Sequence, residues 1–273
     1  MLATVRQKRP GIVRGSAAIM NTPLHKSDET HGSSPAAHFD QFAVGYNAGM
    51  DNPVKKMVGD NPEMFIEVKA RWLLANLATH PARPLPSSAP LRLLDFGCGT
   101  GLFLHVLRRL GFLGVLHGCD ISMGMLAEAS RTWSAGAIPG FAQCVHGTLP
   151  YADATFDVVL ASAVFHHIVP CLRETSYTEM ARVLKSGGRC YVFEHNPYNP
   201  VTRWVVARTP IDQHAILLPS SEVRAGLAAA GLGNICTEYL MFFPPKWHWT
   251  RPLERALRWL PGGGQYVAFG EKQ

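Results

Sequence analysis

The residues with the clearest capacity for chemistry form a glycine-rich turn, Leu93–Gly101, in which Asp95 ends an apolar run and the spacing is Asp-x-Gly-x-Gly-x-Gly. Gly97 and Gly99 let a ligand approach the backbone because no Cβ is in the way. Gly101 permits close packing at a helix start, whose amides favour a carboxylate. Asp95 would repel phosphates and attract an ammonium group. The turn therefore favours a sulfonium amino acid over a dinucleotide pyrophosphate, whose fingerprint would read G-x-G-x-x-G.

A second acid, Asp120, ends the next predicted strand, 25 positions after Asp95. A carboxylate there can accept hydrogen bonds from both ribose hydroxyls of an adenosine. An Asp after a strand can instead cap a helix, here one that begins near Met123. Beside the glycine turn, the ribose role is the favoured interpretation.

Two histidines, His167 and His195, follow predicted strands at the end where α/β proteins hold their ligands. Imidazole has an unperturbed pKa of about 6.5, which suits base chemistry at neutral pH. A catalytic base is needed only if the reacting group of the substrate is protonated at the working pH. Both residues are therefore candidates for catalysis, whereas His166 is expected to pack or to face solvent.

The elements that must position these residues alternate between strand and helix. Strands are predicted at Leu91–Phe96, Val115–Cys119, Phe141–Val145, Phe156–Ala161 and Arg189–Glu194, with helices at Leu102–Leu110, Gly124–Trp133 and Glu174–Leu184. Short apolar strands separated by amphipathic helices predict an α/β fold, with a mostly parallel sheet covered on both faces. After a helix at Ser221–Ala230, two late strands, Cys236–Phe243 and Gln265–Phe269, have no predicted helix between them and suggest an antiparallel edge.

The 273 residues are enough for one α/β domain. Residues 1–37 are predicted to be a disordered tail, either a transit-peptide-like segment or sequence upstream of a true start at Met20. Residues 38–90 are predicted to form an N-terminal helical cover, with Phe39, Phe42 and Tyr46 on one stripe, followed by a proline-rich linker. Residues 91–273 form the main domain, with an acceptor-side insertion at about 196–220.

The charge and cysteine patterns narrow the possible partners and the compartment. The net charge is +6 and the pI about 9.1, but the basic residues are scattered, so nucleic-acid binding is disfavoured. The six cysteines show no metal-like spacing, which favours a reducing, cytoplasmic setting and no metal. No apolar run approaches the roughly 18 residues that a membrane span requires.

These motifs together resemble the class I S-adenosylmethionine (SAM)-dependent methyltransferases, specifically the type 11 group that includes the ubiquinone/menaquinone C-methyltransferases. Four further stretches carry the likeness: His146–Tyr151, Thr155–Val159, Phe165–Ile168 and Arg182–Gly188. The main likeness covers about Leu91–Glu194, and weaker matches extend over most of His38–Gly270. One departure lies before Leu149-Pro150, because the segment Cys144–Thr148 lacks the Asp that contacts the adenine amine in the family.

The resemblance implies a Rossmann-like seven-stranded sheet whose last strand is antiparallel, and transfer of a methyl group from SAM to a small-molecule acceptor by in-line displacement. It implies that Phe39…Tyr46 belongs to a cover over SAM, and that His167 can be structural or cofactor-side as well as catalytic. The expected cofactor-binding residues are Tyr46, Asp95, Gly97, Cys98, Gly99, Gly101, Asp120, Ile121, Met125, Gly147, Thr148, Leu149, Ser162 and His167. The alternatives are an NAD-dependent oxidoreductase and a SAM-fold binding protein without turnover.

Overall fold

A computed structural model describes residues 35–45, 62–79, 90–145 and 147–273, all of which belong to one unit spanning Ser33–Gln273. The predicted tail up to residue 34, most of the predicted linker, Tyr46 and His146 lie outside the described residues. Among the helices that are described, none is long and apolar enough to cross a membrane.

The helices and strands follow the predicted alternation. The first half contains α1 (Pro35–Ala43), α2 (Pro62–Thr79), β1 (Arg92–Phe96), α3 (Leu102–Arg109), β2 (Val115–Asp120), α4 (Met123–Thr132) and β3 (Gly140–Gln143). The second half contains β4 (Phe156–Ser162), α5 (Pro170–Val183), β5 (Leu184–His195), α6 (Pro200–Val206), α7 (Ser220–Ala229), β6 (Leu232–Leu240), α8 (Arg251–Leu257) and β7 (Gln265–Lys272).

The strands form one seven-stranded sheet in the order β3-β2-β1-β4-β5-β7-β6. Strands β1 to β5 pair in parallel, and β7 pairs antiparallel with both β5 and β6. The predicted mostly parallel sheet with an antiparallel last strand is therefore confirmed. The strand order reverses between β1 and β4, and in open α/β sheets a ligand crevice forms at the carboxyl ends of the strands at such a point.

One expectation about the end of the chain is wrong, because α8 lies between β6 and β7. The sequence did not signal this helix because it is only seven residues long and has no buried residue, so it lacks an apolar stripe. Strand β6 also begins at Leu232, earlier than predicted, with a register shift between Gly233 and Cys236. The pairing is nevertheless antiparallel, as expected.

Helix α2 packs against the sheet through Trp72. The Trp72 ring meets Tyr191 and Phe193 of β5 edge-on, at centroid distances of 6.0 and 5.7 Å. Its indole nitrogen donates a hydrogen bond of 2.7 Å to Glu238 Oε2 on β6. These contacts hold α2 against the sheet. Lys69, one helical turn before Trp72, then faces the carboxyl end of β4.

Replacing Gly226 of α7 with alanine is expected to lower the free energy of unfolding by about 1–2 kcal/mol, because overpacking a filled site costs 1–3 kcal/mol. A Cβ at Gly226 would stand closer than 3 Å to the ring of Tyr177. That ring cannot move aside easily, since it stacks on Phe165 at 4.2 Å. Helix propensity alone would favour alanine by about 1 kcal/mol, so urea denaturation tests the sign.

The exposed neighbour Ala225 provides the control for this substitution. Ala225→Gly should lose about 1 kcal/mol through helix propensity alone. A Gly226→Ala variant that is more stable than the wild type would contradict the packing argument.

Candidate functional site

The glycine turn after β1 lies against the end of β2. The amides of Gly97 and Cys98 both donate to the carbonyl oxygen of Cys119, at 2.8 and 2.9 Å. Gly97, Gly99 and Gly101 all have a positive φ, of 73°, 51° and 73°. Only glycine adopts this conformation without strain, so three left-handed residues in five explain the spacing.

The three glycines serve different purposes. A Cβ at Gly97 would stand 2.5 Å from the side chain of Val164, and one at Gly101 would touch Ala129 at 3.4 Å. These two positions are therefore small because protein packs against them. At Gly99 no atom of the described residues, apart from its chain neighbours, lies within 4 Å of the place that a Cβ would take. Gly99 is the position where the turn leaves its backbone open to a ligand.

The two predicted acids lie on either side of this turn. Asp95 is buried at the end of β1, where burial first and the negative charge of Asp120 second raise its pKa well above the usual value. Asp120 Oδ2 accepts the amide of Gly99 at 2.8 Å, and its Oδ1 accepts that of Ser122 at 2.9 Å. A cationic group beside Asp95 would relieve the cost of this arrangement, which fits the ammonium group expected from the sequence.

The capping alternative for Asp120 is resolved by Ser122. Ser122 is the N-cap of α4, and its Oγ accepts the amide of Met125 at 3.0 Å. The same hydroxyl donates to Asp40 of α1 at 2.5 Å, and Asp40 also accepts the amide of Gly124. Helix α1 is thereby attached to the end of β2, next to Asp120.

A cavity of about 370 Å³ connects the glycine turn to the predicted histidines. Its polar wall includes Asp95, Ser162, His167 and His195, which the sequence selected. Lys69 of α2 joins them, with Nζ 2.7 Å from Ser162 Oγ. The far wall is apolar and comes from α6, the loop that follows it and the segment after β6: Val201, Val205, Val206, Ile211, Met241, Phe242 and Phe243.

Glu194, at the end of β5, organises the loop that follows β4. Its buried carboxylate accepts the amides of Val164 at 3.0 Å and Phe165 at 2.7 Å. His166 Nδ1 lies 2.6 Å from Glu194 Oε2, and both side chains are 1% exposed. Burial raises the pKa of Glu194, but the neighbouring His166 has the larger net effect and lowers that pKa to about 2. Of the two placements expected for His166, packing or facing solvent, the structure shows packing, with the ring paired to the Glu194 carboxylate.

Asp212, from the loop after α6, completes a cluster with the two adjacent histidines. Its Oδ1 lies 3.4 Å from His167 Nε2 and 3.6 Å from His166 Nε2. Burial lowers the pKa of His166, but the surrounding carboxylates of Glu194 and Asp212 outweigh burial and raise it to about 9. Burial is also the main reason why the pKa of His167 is lowered.

His195 contacts a different partner. The side-chain nitrogen of Gln265 lies 3.3 Å from His195 Nδ1. With the Gln265 amide in this orientation, its nitrogen donates to Nδ1, which places the proton of the neutral ring on Nε2. Burial, followed by the positive charge of His166, lowers the pKa of His195 to about 3. The ring is therefore neutral and acts as a donor through Nε2.

Several other described residues that were predicted to bind the cofactor do not line this cavity. Leu149 and Met125 are buried, and Met125 packs with Ala43 and Ile211. Ile121 is half-buried at the end of β2, and Gly147 and Thr148 follow β3, with the amide of Thr148 donating to Val145 at 2.9 Å. Tyr46 lies outside the described residues. Their roles toward a cofactor stay predictions.

Sequence reasoning missed three polar residues of the site, Lys69, Glu194 and Asp212. Lys69 interrupts the apolar stripe of α2, and Glu194 directly precedes His195, so each carried a weak signal. Asp212 lies in a loop with no periodicity, and no sequence pattern connects it to histidines 45 positions earlier.

The fold and the turn define a Rossmann-like protein that binds a nucleoside-containing cofactor. A family profile described as a methyltransferase domain matches residues 94–192. The ubiquinone biosynthesis O-methyltransferase of Rhizobium rhizogenes is 31% identical over 181 residues, 62% of this chain and 69% of that protein. The chain belongs to the SAM-dependent methyltransferases, and its cofactor is SAM.

Another relative agrees with this assignment. A ubiquinone/menaquinone biosynthesis C-methyltransferase of Xanthomonas campestris is 32% identical over 138 residues, 49% of this chain and 52% of that protein. The fold is shared with a SAM-dependent methyltransferase of Thermotoga maritima, described as a possible histamine N-methyltransferase, which superposes with a TM-score of 0.60 at 18% identity, over 87% of this chain and 99% of that one. The chain spans 43%, 76% and 59% of the lengths of the first three curated relatives that it matches.

Proposed function

We propose that the enzyme methylates a small, largely apolar molecule at a hydroxyl group. The observation that carries the proposal is the continuity of the cavity, which has the glycine turn at one end and the histidines at the other. The apolar wall formed by Val205, Ile211 and Phe243 favours an acceptor with little charge. The O-methyltransferases of ubiquinone biosynthesis among the relatives support an oxygen nucleophile.

The predicted cofactor residues fit SAM on this structure. Asp95 would receive the amino-acid ammonium group, and the open space at Gly99 would admit the cofactor against the backbone. Asp120 already accepts two amides, but each carboxylate oxygen has a second lone pair for a ribose hydroxyl. Further contacts are proposed for Gly97, Cys98, Gly101, Ile121, Met125, Gly147, Thr148, Leu149, Ser162, His167 and Tyr46. When bound, SAM supplies an electrophilic methyl group.

We propose that His195 and His167 are the catalytic residues and that they act differently. His195, which keeps its proton on Nε2 beside Gln265, donates a hydrogen bond that orients the acceptor oxygen. His167 accepts the proton of the acceptor's hydroxyl on a ring nitrogen, and the neighbouring carboxylate of Asp212 stabilises the positive charge that forms. Methyl transfer requires the nucleophile at about 3–3.5 Å from the methyl carbon, so correct positioning accounts for much of the rate.

The state of the cysteines supports a cytoplasmic location. All six lie in the described part of the chain and are free thiols. Free thiols persist in a reducing compartment. Fractionation of the native host cells, followed by immunodetection, tests this location.

The activity is tested with isotopically labelled SAM and a panel of phenolic and other hydroxylated apolar acceptors. The His167→Gln variant should lose about 100-fold or more in kcat, since proton handling contributes 10²–10⁴-fold. Its SAM affinity, measured by calorimetry, should fall far less than kcat, because His167 is only one of many proposed contacts with the cofactor. The exposed residue His248 provides the control, and His248→Gln should keep full activity.

The same assays separate the competing functions. Binding of NAD instead of SAM would show an oxidoreductase. Binding of SAM without labelling of any acceptor would favour a binding protein without turnover. Full activity of His167→Gln would remove His167 from the reaction.

A further inference from the structure

Three side chains with metal-binding atoms converge at the acceptor end of the cavity. His166 and His167 follow β4, and Asp212 comes from the loop after α6. The Nε2 atoms of the two histidines and the Asp212 carboxylate oxygen all lie within 4.8 Å of one another. His167 and Asp212 both line the cavity. Two imidazoles and one carboxylate form a donor set that binds divalent transition metals and leaves further coordination positions open.

The distances within the cluster match metal coordination better than hydrogen bonding. Asp212 Oδ1 lies 3.4 Å from His167 Nε2 and 3.6 Å from His166 Nε2. Direct N–H···O hydrogen bonds usually span about 2.7–3.2 Å. Ligand atoms at bond lengths of about 2.1 Å around a tetrahedral ion are about 3.4 Å apart. Two of the three spacings in the cluster are therefore close to those between ligands of a single ion.

The buried ring of His166 is an independent indication of a ligand. Its Nε2 has no hydrogen-bond partner among the described residues, although the side chain is only 1% exposed. The other ring nitrogen, Nδ1, lies 2.6 Å from Glu194 Oε2. A carboxylate that binds one imidazole nitrogen fixes the tautomer and directs the lone pair of the other toward a metal. In this protein Nε2 faces Asp212 Oδ1 at 3.6 Å, and a bound ion would replace the proton on Nε2.

We propose that His166, His167 and Asp212 bind one divalent first-row transition-metal ion, whose open coordination positions face the cavity and take an oxygen atom of the acceptor. Glu194 is the positioning residue that holds His166 in the ligating tautomer. The site itself follows from the three side chains alone, whereas its role toward the acceptor rests on the proposed function. A hydroxyl that coordinates a divalent cation becomes more acidic. With the ion bound, His167 acts as its ligand, and the more acidic hydroxyl releases its proton to solvent.

The test uses the purified full chain after dialysis against EDTA, with Co²⁺ as a spectroscopic probe and Zn²⁺ in calorimetry. We expect one ion per chain and the visible absorption of four- or five-coordinate Co²⁺. Asp212→Asn and His167→Gln should each weaken binding by at least about 100-fold, because even the loss of an outer partner weakens metal affinity by 10–100-fold. His214 is exposed and lies two residues after Asp212, so His214→Gln is the matched control and should bind normally.

Far-UV circular dichroism and urea denaturation show whether each variant is folded, independently of the contact proposed between His167 and SAM. The absence of saturable Co²⁺ binding to the wild type would overturn the metal site and leave a proton on His166 between two carboxylates. Equal binding by the wild type and both ligand variants would also overturn it. Full methyl transfer by the EDTA-treated enzyme would remove the ion from the reaction and leave the proposed function intact. Normal Co²⁺ binding by a protein that does not bind SAM would leave the metal site intact and overturn the proposed function.

Discussion

Replacing Gly99 with alanine is expected to weaken SAM binding by at least about 100-fold, which corresponds to about 2.7 kcal/mol. Gly99 has a φ of 51°, and within the described part of the chain nothing beyond its chain neighbours lies within 4 Å of the place that its Cβ would take. Its amide is held by Asp120, so the turn cannot simply move away. The methyl group would therefore occupy the open space through which the cofactor reaches the backbone.

Conformational strain alone does not account for such a loss, because a left-handed alanine costs roughly 1–2 kcal/mol and acts on folding. Gly136 allows the two effects to be separated. It is exposed, has a φ of 84° and has no atom within 4 Å of its Cβ position. Gly136→Ala should destabilise the protein by a similar amount and leave SAM affinity unchanged. Calorimetry and urea denaturation measure both quantities, and a Gly99→Ala variant that binds SAM within a few-fold of the wild type would exclude this role for the turn.

Replacing Glu194 with leucine is expected to lower the free energy of unfolding by about 3–5 kcal/mol, the usual cost of breaking a buried charge pair. The Glu194 carboxylate is the acceptor for the amides of Val164 and Phe165 and the partner of His166. Leucine has similar volume but accepts no hydrogen bond. The substitution therefore leaves these three donors, and the backbone amide of His195 that lies 3.4 Å from Glu194 Oε2, unpaired where water has little access.

The exposed acid Glu174 on α5 is the control for this change. Glu174→Leu should alter the free energy of unfolding by no more than about 0.5 kcal/mol, as is usual for surface positions. Equilibrium denaturation of the three proteins provides the comparison. A loss below about 1 kcal/mol in Glu194→Leu would mean that the buried network contributes little to stability.

The cofactor end of the site could be predicted from local sequence for a physical reason. The glycine turn contains three left-handed residues within five positions, and such a backbone leaves a visible signature in residue type. Asp95 and Asp120 end adjacent parallel strands, so their proximity follows from the alternation of strands and helices. For Asp120 the structure was needed only to show that Ser122, two residues later, is the residue that caps the helix.

The late strands show how far that local reasoning extends. Their antiparallel pairing was predicted, but α8 between them was not, because a short exposed helix has no apolar periodicity to detect. The sequence also could not decide which role each of the two histidines has. Both follow strands, and only their neighbours, Gln265 for His195 and Asp212 for His167, distinguish a donor from a member of the acidic cluster.

The sequence by itself determined the sheet, the glycine turn and the pair of acids, because each follows from short strand-turn-helix segments that succeed one another along the chain. Only the tertiary structure decided the acceptor end of the cavity. Lys69 arrives from α2 and Asp212 from the loop after α6, more than 90 and about 45 positions away from the residues that they meet. Contacts over such separations depend on how the helices pack on the sheet, and packing is a property of the whole core.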